Sequence, residues 1–376
     1  MRILIPTADY PPIEGGISTV ALSLSRELAR QGHEVTVIAP HFDGQEAFDA
    51  AEPVAVVRYR GYGLGWLRLG PMLRATWPYL RVTDLALGIN IAYGGLIGWV
   101  GKTCFSKPYV TFAYAYEFLK FPKASPLGWF LRRLYAGAER VVAISEFTRD
   151  RLAEFGVQPS SIAVVLPGTD GAKDISAEAA RRARERFALE CGPVILGVGR
   201  FVRRKGHLTL VQAMPRILER VPGAQLVLVG RGPRMNAVIQ EAYRLGVREQ
   251  VVLPGRISDE ELAGLYQACT VFALPTGQDR RGQVEGFGLV FTEAHGYGKP
   301  VVAGRSGGAA EAVLDGETGL IVEPNQPDAL AEAILRILED PALAERLGAN
   351  GRQRVETTLN WRVFATGVLE AVSRRP

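Results

Sequence analysis

Residues Pro193-Val-Ile-Leu-Gly-Val-Gly-Arg200, PVILGVGR, read as a short apolar strand that runs into a glycine and an arginine. A brief continuous apolar run closed by a turn residue is the pattern of a strand buried on both faces. It opens a series: AQLVLVG (224–230), QVVLPG (250–255), VFALP (271–275), PVVAG (300–304) and GLIVEP (319–324). An earlier series precedes it, with RILIPT (2–7), HEVTVIA (33–39), PVAVVRY (53–59), TDLALG (83–88), PYVTFAY (108–114), RVVAIS (140–145) and IAVVLP (162–167). Segments with helical spacing, such as Ser18–Gln31, lie between the strands, and a charged helix is predicted over Ser176–Leu189 between the two series. Parallel strands require such crossovers, so the chain is predicted to be α/β, with two doubly wound, Rossmann-like sheets in tandem. The boundary falls near residues 168–190, and we divide the chain into 1–175 and 176–359. Open sheets of this kind bind ligands outside the carboxyl ends of their strands, and a cleft between two such domains is the natural place for a ligand.

Composition agrees with a globular chain. Hydrophobic residues make up 47% and charged residues 22% of 376, which argues against long disorder and fits about two domains. Cys104, Cys191 and Cys269 are far apart with no CxxC pair, which argues against a disulfide framework or a zinc site and for a reducing compartment, the cytoplasm by default. The opening MRILIPTADYPP is too short in apolar residues for a signal peptide and reads as a first strand. Leu85–Gly101 carries no charge, near the lower length limit for a membrane span, but Gly88, Asn90, Gly94 and Gly95 divide it into a buried strand and a buried helix.

The net charge of +5 is unevenly spread. Between Pro53 and Tyr135 stand Arg58, Arg60, Arg68, Arg74, Arg81, Lys102, Lys107, Lys120, Lys123, Arg132 and Arg133, opposed only by Asp84 and Glu117. Trp66, Trp77, Trp99 and Trp129 are interleaved with them. Such a mixture suits an anionic membrane surface or a phosphorylated acceptor, and equally a solvated basic face over core tryptophans. No recognition motif for nucleic acid accompanies it.

Three turns have the makings of a binding site. Pro11–Ser18, PPIEGGIS, takes the first strand through Gly15 and Gly16 into a helix, whose N-terminus offers free N–H groups to an anion. GVGRFVRRKG (197–206) places Arg200 and Lys205 just past a strand, where a forked contact and a point charge can neutralise a diphosphate. EGFGLVFTE (285–293) leads through Gly286, Phe287, Gly288 and Leu289 into a helix, with Glu285 and Glu293 able to accept from vicinal hydroxyls of a sugar or ribose. The dinucleotide fingerprint fails, since neither GVG at 197–199 nor GRG at 230–232 completes GxGxxG.

Together with AISEFTR (143–149), PGTD (167–170) and SGGAAEAVLDGETGLIV (306–322), these segments make the chain resemble the retaining nucleotide-sugar glycosyltransferases of family 4, which have the GT-B fold. The resemblance covers nearly the whole chain. It implies that Arg200 and Lys205 bind the donor diphosphate, that Glu293 binds the ribose, and that Glu285 with the backbone of Gly286–Leu289 holds the donor sugar. It implies that Gly15 and Gly16 meet the donor phosphates or sugar, that no metal or other cofactor is needed, and that a closing helix over about 360–376 crosses back to the first domain. Where the family commonly carries a histidine, this sequence has Tyr114, in Tyr114-Ala115-Tyr116-Glu117, which implies a tyrosine contact to the sugar.

The expected reaction moves a sugar from a UDP or GDP donor to an acceptor hydroxyl with retention. Because the motifs offer no nucleophile on the far face, a front-side path is expected, with Arg200 and Lys205 stabilising the leaving diphosphate and Glu285 completing the catalytic set. The acceptor is a lipid-linked, saccharide or small-molecule hydroxyl, reached from the cytoplasmic side with peripheral membrane contact. The alternatives are a phosphorylase or epimerase of the same fold and a non-catalytic nucleotide-sugar-binding protein.

Overall fold

A computed structural model describes residues 1–119, 123–172, 176–280 and 282–373, without the side chains of Leu64, Tyr116 and Glu117. Lys120 of the basic stretch and residues 374–376 of the expected closing segment lie outside the described residues. The chain forms two compact units, one of residues 1–167 with the helix Trp361–Ser373, the other of Gly168–Asn360.

In the first unit the strands are β1 (Arg2–Pro6), β2 (Glu34–Pro40), β3 (Ala55–Tyr59), β4 (Leu85–Gly88), β5 (Tyr109–Ala113), β6 (Arg140–Ala143) and β7 (Ile162–Val164). They form one parallel sheet in the order β3-β2-β1-β4-β5-β6-β7. In the second unit β8 (Val194–Val198), β9 (Gln225–Val229), β10 (Val251–Gly255), β11 (Val271–Leu274), β12 (Val301–Gly304) and β13 (Gly319–Val322) form another, in the order β10-β9-β8-β11-β12-β13. Every residue of β4, β5, β8, β9 and β11 is buried, which is why these strands read as unbroken apolar runs rather than alternating ones. Each sheet winds outward from its first strand and then reverses, at β1/β4 and at β8/β11. Loops leaving the carboxyl ends of those two neighbours part from one another, which makes room for a ligand.

The uncharged stretch after β4 behaves as a buried turn. The Asn90 side chain accepts from the amides of Tyr93 and Gly94 and caps a π-helical turn, Ile91–Gly95, that continues as the helix Leu96–Phe105. Among the described residues no helix is long and apolar enough to cross a membrane.

The basic stretch divides. The Arg58 side chain is buried, pairs with Asp49 at 2.5 Å and donates to the carbonyls of Pro40 (2.9 Å) and Pro11 (3.0 Å), so it fixes the loop after β1 and takes no part in a basic surface. Trp99 packs into the core beside Tyr109 and Leu134, whereas Trp66, Trp77 and Trp129 are exposed, along with Arg74, Arg81 and Arg133.

The helix Trp361–Ser373 completes the first unit. Phe364 is fully buried against Phe112 and Trp361, and Arg140 donates to the carbonyl of Ala371 at 3.0 Å. Truncating a buried phenylalanine costs about 3–5 kcal/mol. Phe364→Ala should therefore speed amide hydrogen exchange in β5 and β6 and leave β8 and β11 unchanged; equal protection in all four strands would contradict this packing.

Candidate functional site

Two loops start at the reversal of the second sheet. From β8 the chain passes Gly199 and Arg200, makes a 3-10 turn at Arg203–Lys205 and enters the helix His207–Arg220. From β11 it runs from Pro275 through Glu285 to Gly288 and enters the helix Leu289–Gly296. Because β8 and β11 are neighbours, the loops lie side by side and are joined twice. The amide of Gly277 donates to the Arg204 carbonyl at 2.7 Å. Gly206 has φ +73°, and a Cβ there would sit 2.3 Å from the Pro275 carbonyl oxygen, so only glycine admits the approach.

Three charged side chains meet across that seam. Glu285 Oε2 lies 2.8 Å from Lys205 Nζ and 2.9 Å from Arg204 Nη1. The side chains of Lys205, Glu285 and Arg204 are only 11%, 14% and 18% exposed, so the group stands largely out of water with one positive charge in excess. Burial pushes the Glu285 carboxyl up, but Lys205 and Arg204 outweigh it and hold the acid below its ordinary range. A third loop, after β12, grips the main chain of the same residue. The amide of Gly308 donates to the Glu285 carbonyl at 2.9 Å, and Gly307, at φ +55°, would place a Cβ 2.0 Å from that oxygen.

Glu293 is held differently. It accepts from Tyr266 Oη at 2.8 Å, and the Tyr266 ring stacks on Tyr297 with centroids 5.4 Å apart. Phe287 is buried under the turn, and Gly288 and Leu289 form the N-terminus of the short helix whose open amides follow Gly286. Arg200 is exposed beside Gly199. His207 stacks on Phe201 at 4.3 Å; burial and then the neighbouring Lys205 push its pKa down to about 3, so it is a neutral packing residue. In the first unit, Gly15 caps the helix Gly16–Arg30 with both glycines exposed, and Tyr114 is buried just past β5.

Of the residues singled out from the sequence, Lys205 and Glu285 touch, Gly286–Leu289 follow on the same loop, and Glu293 stands in that loop's helix with a tyrosine partner of its own. Sequence reasoning missed Arg204, although it lay in the run Arg203-Arg204-Lys205, and gave Gly307 and Gly308 no role. Nothing in the spacing says which of three consecutive cations a 3-10 turn points inward.

The family model described as "Glycosyltransferase Family 4" matches residues 14–173, and "Glycosyl transferases group 1" matches residues 181–354. The GDP-mannose-dependent alpha-(1-6)-phosphatidylinositol monomannoside mannosyltransferase of Mycobacterium tuberculosis is 33% identical over 378 residues, which cover 97% of this chain and 96% of that protein. This chain belongs to the family 4 glycosyltransferases. The like-named enzyme of Mycolicibacterium smegmatis is also 33% identical, covering 99% of this glycosyltransferase and 98% of that protein. Among solved structures, sucrose-phosphate synthase from Thermosynechococcus elongatus is similar at a TM-score of 0.79 and 27% identity, covering 98% and 97% of the two chains. HepE of Anabaena, solved with UDP and glucose, has a TM-score of 0.82 at 21% identity, covering 99% of each. The glycosyltransferase has the GT-B fold.

Two outcomes follow from this geometry. Gly307→Ala must push the Glu285 main chain away, and a displacement of about 1 Å in such a site costs about 10²-fold in rate, to be read as kcat/KM at unchanged fold by circular dichroism. The carboxyl of Glu285 is depressed below its unfolded value of about 4.3, so its ion pairs stabilise the protein above about pH 4 and that contribution is lost as pH falls through the folded value. Thermal melting of wild type should accordingly fall more steeply between pH 5 and pH 3 than that of Glu285→Gln; parallel curves would refute it.

Proposed function

We propose that this glycosyltransferase moves mannose from GDP-mannose to a hydroxyl of a phosphatidylinositol-mannoside type of glycolipid, with retention at the anomeric carbon. The observation that carries this reading is the full-length 33% identity to enzymes named for that donor and acceptor. The bond from the mannose anomeric carbon to the β-phosphate oxygen breaks, the acceptor oxygen bonds to that carbon on the same face, and the acceptor proton passes to the leaving diphosphate. Arg200 and Lys205 meet the charge that develops on that diphosphate. Glu285 accepts from sugar hydroxyls, with the main chain of Gly286, Phe287, Gly288 and Leu289 around the sugar, and Glu293 accepts from the ribose. In the first unit, Gly15 and Gly16 offer helix N-terminal amides to the donor, and Tyr114 contributes a sugar contact. We assign neutralisation of the leaving group to these cations alone, so turnover should persist in a chelator.

Contact with an anionic membrane is part of the proposal. Exposed Trp66, Leu67, Trp77 and Trp129, with Arg74, Arg81 and Arg133, are the residue types that settle at a headgroup layer, and the relatives' named acceptors are lipids. The protein would then work as a peripheral enzyme on the cytoplasmic face.

A thermal-shift series with GDP, UDP, ADP and TDP and their sugar conjugates tests the donor. A ligand at 100 times its dissociation constant stabilises by about 2.7 kcal/mol, so GDP and GDP-mannose should raise the midpoint, and Glu293→Ala should abolish the rise. Selectivity for UDP would overturn the donor assignment. Arg200→Ala and Lys205→Ala should each lower kcat by about 10²–10³-fold, measured as GDP released from GDP-mannose.

A further inference from the structure

Glu285 presents one carboxylate oxygen, Oε2, to two cations, one more than charge balance requires. The two cations differ in how they are held. Lys205 reaches Glu285 through a flexible four-carbon stem that can swing its point charge elsewhere. Arg204 cannot move so freely, because its own carbonyl accepts from Gly277 at 2.7 Å while its guanidinium reaches Glu285 at 2.9 Å. That residue therefore ties the loop after β8 to the loop after β11 by both main chain and side chain. The other segment packed on Glu285, the loop after β12, contributes the amide of Gly308 and the Cα of Gly307, neither of which titrates. The helix side presents Gly288 and Phe291. Among the described residues, Arg204 and Lys205 are thus the charged groups that face this carboxylate.

We propose that Arg204 is the positioning residue of the donor site, holding Glu285 charged and in place after Lys205 has left it for the donor's diphosphate. The inference rests on the donor-site reading given above. When the diphosphate arrives, the excess positive charge has a partner, and Lys205 can turn to it only if its departure does not strand a buried anion. A carboxylate left in a largely dry site without a counter-charge takes up a proton or recaptures its lysine. Either outcome harms the reaction: a protonated Glu285 accepts poorly from sugar hydroxyls, and a recaptured Lys205 is withdrawn from the leaving group. Arg204 prevents both, and it does so without touching the substrate.

The test compares wild type with Arg204→Gln and Arg204→Lys, following GDP release from GDP-mannose with phosphatidylinositol monomannoside in mixed micelles. The pH dependence of kcat reports groups in the bound complex, where Glu285 would depend on Arg204 alone. In Arg204→Gln the acid limb of kcat should move up by at least one pH unit, giving a loss of about tenfold or more on the acid side that shrinks as pH rises, with KM for GDP-mannose raised at high pH. In Arg204→Lys the limb should return to its wild-type position. A loss in Arg204→Gln that is uniform across pH, or an unmoved limb, overturns the proposal and leaves Arg204 a structural residue. Should the glutamine variant fail to fold, Arg204→Lys against Arg204→Met gives the same comparison. Glu285→Gln and Lys205→Gln are assayed alongside. If they keep wild-type turnover, the donor-site reading itself fails; if they lose it while Arg204→Gln keeps the wild-type limb, only the role of Arg204 fails.

Discussion

Main chain packed directly on main chain is the constraint on which the site depends. Three loops, leaving β8, β11 and β12, converge at Glu285, and at two points their main chains meet directly: Gly206 lies against the Pro275 carbonyl and Gly307 against the Glu285 carbonyl. A single methyl group at either contact would have to occupy space already filled. In the proposed transfer the carboxylate would thus be aimed before the donor arrives, and fixed charges lower a barrier most when little reorganisation is left to them.

Two of the ion clusters make an instructive contrast. In the first unit the Arg58 guanidinium gives four of its five N–H groups to Asp49 and two carbonyls, so it is engaged in structure. In the second, one acid stands between two cations, and the group keeps spare positive charge in a largely dry place. Both clusters draw on residue types that look alike in a sequence. Bond accounting separates them: the Arg58 guanidinium is engaged in building a loop, whereas the Glu285 carboxylate carries more cation than it can neutralise, the feature on which the proposed diphosphate site rests.

The architecture was legible because its central strands are buried on both faces, so that VILGV and YVTFA announce themselves without periodicity. Strand order was not spelled out by any residue; it follows from the rule that such sheets reverse once, and the candidate site of the second unit starts from the reversal at β8/β11. Lys205, Glu285 and Glu293 drew notice in the sequence because acids and bases at strand ends are conspicuous, and the structure puts Lys205 against Glu285. Arg204 was not, since its role depends on the phase of a three-residue turn, and Gly307 was not, since a missing side chain says nothing about the neighbour it accommodates. The basic and aromatic stretch was half legible: composition revealed the charge, while only packing shows that Arg58 and Trp99 are turned inward.

The helix Trp361–Ser373 belongs to the unit that begins the chain, and the whole of the second unit lies between. A ribosome works from one end to the other at about 5–20 residues per second, so the nascent first unit waits roughly 10 to 40 s for its last piece while residues 168–360 are made. Throughout that interval the apolar seat around Phe112 is bare, whereas the second unit, being one uninterrupted segment, can close as soon as it emerges. The order of birth is then the reverse of the order of completion, and the unit translated first is the one that stays open to chaperones and proteases longest.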